Sequence, residues 1–579
     1  MRFLVILFTL AALTVRLDAQ IERTITVQVV DMVSKEPLAF ALAYNLRSQA
    51  STSSDAQGTL QLPFCQVGDT VIVSYIGYED YSLIVSQQLT YRIELSARQN
   101  ILSEVVITAN DDYLYSLISA VKKGRRTPTI ESKTYFYLKS EVNDTTTEII
   151  ESYYNGTYAN HGVEQIELKK GRIGLRPLDQ RYYINTESSR LFAMYNLYNH
   201  SARMPDNPLS IRRSSLRKNY WLTHVKSFSQ DDGEIIVIDF IPKSSAADLF
   251  SGRLWINQSS ARLVKADLNI SNALIYPFIQ VAGYDLRNVN IQITQTFDQV
   301  DSEQYVKETS FNYSYNYTSR FDKEVYTSTS AILHSYDFRQ KFVLPYFAYE
   351  EHAYRDYKDI MAIPYDSVFW DVLAEYRLYD KVPMIDSFMT SYMLRNLAQG
   401  INSSHRDGPM DWFQHSYVLW DEERFTMSEA SSEIIGTSQK RHPFDKDRYH
   451  LECNLYLDVT PLDTGFSYQL YTTIIPRLSY YHFYMSEIDQ VFINMYFDLL
   501  EIQRRHLDSK LKALRIYDKE IIENLYRQSK LNHLKTADQY IADTDRGRNM
   551  VGLRKWNKYI LDQLAVDNLR LYRELTSDE

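Results

Sequence analysis

Residues 21 to 109 consist of short alternating apolar and polar segments separated by turns, and this pattern most narrows the folds open to the chain. Alternation with a period of two and many β-branched residues predicts strands, because successive side chains of a strand point to opposite faces. The turns contain Gly58 and Gly68, where glycine accommodates a positive φ. About seven short strands at this spacing are typical of a β-sandwich. The segments predicted as strands are 24–30, 38–44, 59–62, 71–76, 81–85 and 91–95.

The same region carries residues of a family pattern. These are, in order, Asp31, Pro37, Ala41, Asp55, Gly58, Gly68-Asp69, Ser74-Tyr75-Ile76-Gly77-Tyr78, Leu95 and Leu102-Ser103-Glu104-Val105-Val106-Ile107. With them the region resembles the carboxypeptidase-regulatory-like domain of Bacteroidetes envelope proteins. That domain precedes the plug of many TonB-dependent transporters, but no plug follows here, so transport is not implied. The resemblance implies a rigid spacer or docking domain without a zinc site; a ligand site is the alternative.

The first 19 residues have the pattern of a secretion signal. Arg2 supplies a positive start, residues 3–15 are apolar apart from two threonines, and Ala19 is a small residue before the expected cleavage site. The apolar run is shorter than the roughly 20 residues of a membrane-spanning helix. We therefore predict a cleaved signal, with Gln20 as the mature N-terminus; a buried N-terminal helix is the alternative. No cysteine follows the cleavage site, so a lipid-anchored N-terminus is not expected.

Composition excludes several classes of protein. The net charge of -10 and the absence of a long basic cluster disfavour nucleic-acid binding. Cys65 and Cys453 are the only cysteines and are expected in different domains, so no disulfide framework is predicted. Only 17 glycines occur, without a glycine-rich phosphate loop, which disfavours nucleotide binding. We expect no cofactor.

The middle of the chain, residues 111–345, begins with a helical pattern and continues with long alternating segments. Apolar residues at helical spacing predict a helix over 111–123, and the alternating segments between 134 and 334 predict one large curved antiparallel sheet. The phrases 151–156, 168–172 and 250–256 resemble another Bacteroidetes envelope family, which has a lipoprotein-carrier-type half-barrel. This resemblance implies an apolar cavity for a lipid-like or peptide ligand; a sheet packed on its own helix without ligand is the alternative. Residues 346–409 are predicted to be connecting segments with a short helix at 387–397.

The C-terminal region, residues 410–579, is predicted to be rich in helices, with a long amphipathic helix over 488–514. The order of Phe497-Asp498, Tyr540, Thr544, Gly547 and Trp556 resembles a bacterial family of zinc peptidases. In that family a His-Glu-x-x-His helix grips zinc with two histidines on one face, and the glutamate is the general base. In this chain Phe492, Ile493 and Tyr496 occupy the positions of the two histidines and the glutamate. Arg546 stands where the family has the histidine of a later Thr-x-His-Gly phrase. The resemblance therefore implies a pseudoenzyme.

A second place for a metal is the local cluster His442, Asp445, Asp447 and His450. Its residue types suit a metal, but the spacing matches no standard zinc motif, and a solvated loop before a strand at 451–459 is the favoured interpretation. His506 and His533 lie among charged helical residues and are predicted to be at the surface. We name no catalytic residue.

Together these features predict a multidomain α+β protein with an N-terminal β-sandwich, a central curved antiparallel β-domain and a C-terminal α-rich domain. We expect an exported, non-catalytic protein that binds or assembles with envelope proteins, in the periplasm or associated with the outer membrane or cell surface. The alternatives are a metal-dependent hydrolase or peptidase with an unrecognised site, and a carrier of a hydrophobic ligand in the central β-domain.

Overall fold

The structure is a computed structural model. It describes residues 23–38, 41–48, 51–54, 57–75, 78–96, 112–123, 127–175, 192, 195–230, 233–244, 248–278, 285–318, 324–346, 359–360, 363–364, 366, 369–370, 418–420, 449–450, 453–462, 465–474, 480–481 and 487–573. The described part is mostly β-structure in several sheets, with helices at its C-terminal end, as predicted. The domain boundaries stay predictions.

Seven short strands form two sheets in the N-terminal region. One sheet has the order β4-β1-β7 and the other β3-β2-β5-β6, and alternate residues of both contribute to one apolar core. Cys65 lies in this core, and burial raises the pKa of its thiol to about 11. The strands are β1 (Arg23–Asp31), β2 (Leu42–Asn45), β3 (Ser51–Ser53), β4 (Thr59–Cys65), β5 (Thr70–Ser74), β6 (Tyr81–Ile84) and β7 (Thr90–Leu95).

The pattern residues of this region stabilise its turns. Asp31 accepts a hydrogen bond of 2.6 Å from the Tyr78 hydroxyl and bonds from the turn N–H groups of Val33 and Ser34. The Tyr78 hydrogen bond and the turn amides lower the pKa of Asp31 to about 2, although burial opposes them. Gly58 has a φ of +73°, and a Cβ there would lie 2.5 Å from the Val29 carbonyl oxygen. These contacts give the residues a structural role.

The central region is one antiparallel sheet of ten strands, in the order β10-β9-β8-β17-β16-β15-β14-β13-β12-β11. Neighbours in the sheet follow each other in the chain except at β8 and β17, so successive hairpins build it. The strands are β8 (Ile130–Val142), β9 (Thr145–Ala159), β10 (Gly162–Leu175), β11 (Tyr220–Gln230), β12 (Gly233–Pro242), β13 (Ser251–Asn257), β14 (Arg262–Ile270), β15 (Asp285–Val300), β16 (Glu303–Thr318) and β17 (Val325–Phe338).

The two faces of this sheet differ in what covers them. On the face that carries Phe136, Leu138 and Ile150, helix α1 (Asp112–Lys123) contributes Leu114, Ile118 and Val121 to one large apolar core. We call this the helix-side face; a short helix, α2 (Arg213–Asn219), also adds Leu216 to it. The other face, which carries Tyr135, Glu151 and Tyr153, is called the opposite face.

Between residues 418 and 481 the described segments are strands, and the long helices follow them. The strands are β18 (Val418–Leu419), β19 (Tyr449–His450), β20 (Cys453–Leu462), β21 (Gly465–Ile474) and β22 (Tyr480–Tyr481). The helices are α3 (Glu487–Ala513), α4 (Lys519–Thr544), α5 (Met550–Leu564) and α6 (Asn568–Arg573). Helix α3 packs on the β20–β21 hairpin with one part and on α4, α5 and α6 with another. Among the described residues, no helix is both long and apolar enough to cross a membrane.

Most predicted elements coincide with observed ones, and the differences have physical reasons. The long amphipathic helix predicted over 488–514 is α3, and the helix predicted over 111–123 is α1. The sequence pattern does not predict β11, because a bulge between His224 and Lys226 breaks its alternation. Cys65 lies in β4 and Cys453 in β20, and both are free. The predicted helix at 387–397 lies outside the described residues.

Candidate functional site

Two consecutive lysines of β10 are buried on the sheet at its edge. Lys169 and Lys170 are each 1% exposed. Consecutive residues of a regular strand point to opposite faces, but the register shifts between Leu168 and Lys170. This bulge inserts an extra residue and lets both ammonium groups reach the same carboxylate, Asp458 of β20. The two Nζ–Oδ distances are 2.5 Å.

The remaining hydrogen bonds of these lysines are also satisfied. Lys169 donates to the carbonyls of Val343 and Val459 at 2.7 and 3.0 Å. Burial lowers the pKa of the Lys169 ammonium, and Asp458 counteracts that effect. The three donors of Lys169 thus have three acceptors, as a buried ammonium requires.

Lys170 has a second carboxylate besides Asp458. Its Nζ lies 3.2 Å from Asp366 Oδ2 and 3.2 Å from the Tyr456 hydroxyl. Charges removed from water need such partners, because an unpaired buried charge is very costly. The lysines therefore join the long sheet to the β20–β21 hairpin.

A buried arginine, Arg172, lies near the lysines on the opposite face. Arg172 binds Glu151 through Nε and a second guanidinium nitrogen at 2.8 and 2.5 Å, and Glu151 also accepts from the Tyr135 hydroxyl at 2.7 Å. The Trp370 ring lies 4.3 Å from the Arg172 guanidinium carbon. This cation–π contact fixes Trp370 of the connecting region on the sheet.

A fourth buried cation, towards the other end of this face, faces the N-terminal region. Lys265 of β14 lies 4.7 Å from the Trp255 ring centre and 3.5 Å from the Tyr75 hydroxyl. Asp267, 3.3 Å away, is its carboxylate partner and accepts from Thr294. Tyr75, one of the residues that carry the N-terminal resemblance, thus contacts the long sheet. Between the two ends, His334 and Glu308 form a buried pair at 2.8 Å.

On the helix-side face, a group of aromatic side chains lies on β16, next to the loop that follows β14. Tyr313 and Tyr315 stack with an interplanar angle of 6°. Phe278, from the loop after β14, packs on both, with ring centres 4.5 and 5.5 Å away. Leu274 and Ile275 of the same loop are 78% and 38% exposed. We call Phe278, Tyr313 and Tyr315 the aromatic cluster; an apolar ligand is the chemistry that it suits.

Of the four positions that the sequence resemblance aligns with a zinc site, Phe492 and Ile493 are buried in apolar packing, Tyr496 is half-buried and Arg546 is exposed. Phe492 stacks on Tyr540 at 4.9 Å, and the Tyr540 hydroxyl donates to the Phe492 carbonyl at 2.9 Å. Gly547 has a φ of +89°, and a Cβ there would lie 3.2 Å from the Phe492 Cβ. Trp556 packs edge-on against Tyr540. These contacts give Phe492, Tyr540, Gly547 and Trp556 a packing role.

The neighbouring carboxylate of this region is also held by structural contacts. Asp498 is buried and accepts from Trp420 Nε1 at 2.8 Å and from Asn568 Nδ2 at 2.7 Å. Tyr496 contacts His533 edge-on at 5.4 Å. The prediction that His533 is at the surface is wrong, since this residue of α4 is buried against α3. His506 is exposed, as predicted. Burial and the nearby Lys530 lower the pKa of His533 to about 4.

The metal candidates from the sequence fall mainly outside the described part. His442, Asp445 and Asp447 lie outside the described residues. The backbone of His450 belongs to β19 and pairs with Tyr480 of β22. Within the described ranges, no group of three or more His, Cys, Asp or Glu side chains could hold a metal ion. Sequence reasoning missed the buried lysines, since Lys169-Lys170 has the appearance of an exposed charged pair.

Comparisons with known proteins give partial structural likenesses. No protein-family model matches the chain, and no curated protein matches it. A domain described as an outer membrane lipoprotein-sorting protein, from Vibrio parahaemolyticus, is similar at 12% identity and a TM-score of 0.19, covering 40% of this chain and 93% of its own. A LolA superfamily protein from Nitrosomonas europaea has 13% identity and a TM-score of 0.17, with 39% and 93% covered. A chain of the Pseudomonas aeruginosa MucA/MucB complex has 10% identity and a TM-score of 0.14, with 38% and 92% covered.

Proposed function

We propose that this chain is a non-catalytic binding or assembly protein of the cell envelope. The observation that carries this proposal is the apolar packing of Phe492, one of the positions that the resemblance aligns with a zinc ligand. Phe492 and Tyr540 stack there, and Gly547 closes against Phe492. A zinc peptidase needs three ligands and a general base at such a place. The family resemblances support an exported location at the periplasmic face of the outer membrane or at the cell surface.

The contacts between regions support an assembly role for the long sheet. Its opposite face holds the N-terminal region through Lys265 and Tyr75, and the β20–β21 hairpin through Lys169, Lys170 and Asp458. The three lysines are buried, and each has a carboxylate partner, so each contact favours one geometry. A sheet that orients two other regions is suited to present them to an envelope partner.

Metal analysis of the purified mature protein tests this proposal. We expect substoichiometric zinc by elemental mass spectrometry and no chelator-sensitive hydrolysis of peptides. Native mass spectrometry and crosslinking in the envelope fraction should instead recover a protein partner. Stoichiometric zinc, or peptide hydrolysis that a chelator abolishes, would overturn the proposal. Loss of such activity in His442→Ala and His450→Ala would then assign it to that cluster.

A second candidate function is a carrier of a hydrophobic ligand on the helix-side face. The aromatic cluster favours it, since Phe278 packs on the stacked tyrosines and comes from a loop that exposes Leu274 and Ile275. We expect lipid to co-purify with the protein and to be reduced in Phe278→Ser. The matched control is Trp221→Ser, which removes an aromatic ring that is 60% exposed on the opposite face. Equal lipid content in both variants and the wild type would exclude this cluster as the binding site.

A further inference from the structure

Unpaired cations collect at the end of the long sheet where α2 leads into β11. Five lysine and arginine side chains there are exposed, and none of them has a carboxylate partner among the residues that the structure describes. They are Lys123, Arg203, Arg212, Arg213 and Lys218. We call these five residues the basic patch.

The carboxylates of the surrounding segments do not cancel this charge. Residues 112–123, 200–226 and 239–253 contain ten lysines and arginines and four carboxylates, in a chain whose net charge is -10. Each of the four carboxylates already has a partner. The pairs are Asp112 with Arg217, Asp239 with Arg253, Asp206 with the Ser210 hydroxyl, and Asp248 with the N–H groups of Leu274 and Ile275. The end of the sheet therefore carries an excess of positive charge.

Contacts between α1 and the segment around α2 hold the basic patch on one surface. Lys122, near the end of α1, donates to the Ile211 carbonyl, and Asp112, at its start, binds Arg217. Residues 211–217 thus run beside the whole of α1. A helix of this length extends over about 18 Å, so the patch extends over a similar distance.

Exposed apolar side chains adjoin the last turn of α2. Trp221 is 60% exposed and Ile241 is 57% exposed, and the two lie directly opposite each other on β11 and β12. Such cross-strand neighbours share one face of a sheet. Lys243 Nζ lies 3.9 Å from the Trp221 ring centre and donates to the Arg217 carbonyl at 2.7 Å. One lysine therefore connects the Trp221 ring to the helix that carries Arg213 and Lys218.

This combination suits a partner with an anionic outer layer and an apolar interior. Lysine and arginine are attracted to acidic lipids at a membrane surface. Tryptophan favours the level of the headgroups, because its ring is apolar and its N–H is polar. A bilayer also presents its charge over an extended area, as a patch of this length requires.

We propose that the basic patch and Trp221 dock the protein on an anionic lipid membrane. The cations contact headgroup phosphates, and Trp221 and Ile241 lie at the boundary between headgroups and acyl chains. The proposal concerns where the protein is held and not what it carries or assembles, so its failure would leave the function proposed above unaffected. High salt releases lipid that is bound in this way. After a high-salt purification, Trp221→Ser therefore remains a control for lipid carried by the aromatic cluster.

Vesicle sedimentation with the full mature chain tests this proposal. The probes are phosphatidylethanolamine vesicles containing phosphatidylglycerol, compared with vesicles of phosphatidylcholine alone. We expect binding to the anionic vesicles that falls as salt is raised, because salt screens exposed charges. Each cation near an anionic leaflet strengthens binding by about fivefold, so the triple variant Arg212→Gln, Arg213→Gln and Lys218→Gln should bind about a hundredfold more weakly. Trp221→Ser should weaken binding several-fold and leave the salt dependence unchanged.

Two control variants separate this surface from overall charge and from exposed aromatic area. The charge control carries Lys510→Gln, Lys535→Gln and Lys558→Gln, which are exposed lysines of α3, α4 and α5. The aromatic control is Tyr326→Ser, which removes a ring of β17 that is 40% exposed. We expect both controls to bind anionic vesicles like the wild type, and circular dichroism checks that all variants are folded.

Three results would overturn the proposal. One is an equal loss of binding in the triple variant and in the charge control, and another is equal binding of the wild type to anionic and neutral vesicles. The third is binding to poly-glutamate without binding to vesicles, which would assign the basic patch to an acidic protein.

Discussion

Replacement of Asp458 by asparagine is expected to loosen the contact between β10 and the β20–β21 hairpin. Asp458 serves both Lys169 and Lys170 at 2.5 Å, and both lysines are almost completely buried. Removal of one member of a buried ionic pair costs about 3–5 kcal/mol, because the remaining charge stays desolvated without its partner. Lys169 keeps only carbonyl acceptors, whereas Lys170 keeps Asp366. The loss should therefore be greatest around Lys169.

The effect should also depend on pH in a defined direction. Burial already lowers the pKa of Lys169, and loss of Asp458 lowers it further. The unfolded chain then binds more protons than the folded one between that lowered pKa and 10.5, the ordinary value for lysine. The free energy of unfolding must consequently rise with pH in this interval. Asp458→Asn should lose less stability at pH 9 than at pH 7.

Hydrogen exchange followed by mass spectrometry measures this contact locally, which a single unfolding midpoint of a chain with several separate apolar cores does not. We expect exchange in β10, β20 and β21 to accelerate at least a hundredfold in Asp458→Asn. Asp366→Asn, which removes one of several partners of Lys170, should have a smaller effect, about 1.5–3 kcal/mol. Asp285→Asn is the exposed control, since its pair with Arg287 is worth about 1 kcal/mol or less. Equal exchange in Asp458→Asn and Asp285→Asn would refute the ionic junction.

Two further predictions concern His533 and Tyr75. The pKa of His533 is lowered to about 4 in the folded state, so the wild type should lose stability as pH falls from 6.5 towards 4, by up to about 3 kcal/mol. His533→Leu should remove most of this dependence in thermal unfolding at several pH values, and an unchanged profile would contradict the assignment. Tyr75→Ala removes the hydroxyl beside Lys265, so exchange should rise in β13 and β14 while β1 and β7 stay protected. Faster exchange in β1 as well would mean that the N-terminal core itself had been damaged.

The sequence allows most elements of the sheet to be predicted, because alternation is a local property of each strand. It does not show that β8 pairs with β17, since that pairing joins residues far apart in the chain. The buried lysines could not be predicted either. Lys169-Lys170 becomes a junction only through a bulge and an aspartate almost three hundred residues later, and no local pattern signals that.

In the C-terminal helices, too, local sequence patterns could be predicted but contacts between distant residues could not. Alignment on Phe497-Asp498 allowed Phe492 and Arg546 to be named from sequence, and the contact between Phe492 and Gly547 places the two positions near each other. What fills the space was not predictable, because the stacking partner Tyr540 comes from α4. Likewise, His533 has charged neighbours in sequence but lies against Tyr496 of α3. Burial of a helix residue depends on the helix packed against it.

The convergence of these positions permits a direct test of the resemblance to zinc peptidases. Residues 492 and 496 are one helical turn apart on α3, and residue 546 adjoins the glycine that packs on Phe492. The triple variant Phe492→His, Tyr496→His and Arg546→His would thus bring three imidazoles to one place. If the scaffold descends from a zinc site, the variant should bind zinc and its thermal midpoint should rise when zinc is added. Zinc at a hundred times its dissociation constant stabilises by about 2.7 kcal/mol.

The triple variant also loses packing stability, and the experiment must distinguish this loss from a failure to bind zinc. Loss of the Phe492 ring removes its stacking on buried Tyr540, which should lower the midpoint without zinc by an amount equivalent to about 1–3 kcal/mol. The matched control retains Arg546 and carries only the two α3 histidines, so it has the same loss of packing but one ligand fewer. A zinc-dependent rise in the triple variant that exceeds the rise in this control supports a degenerate peptidase scaffold. Identical responses in the two variants would mean that residue 546 does not face the α3 positions as a ligand, and the resemblance would then extend to the order of residues but not to a former metal site.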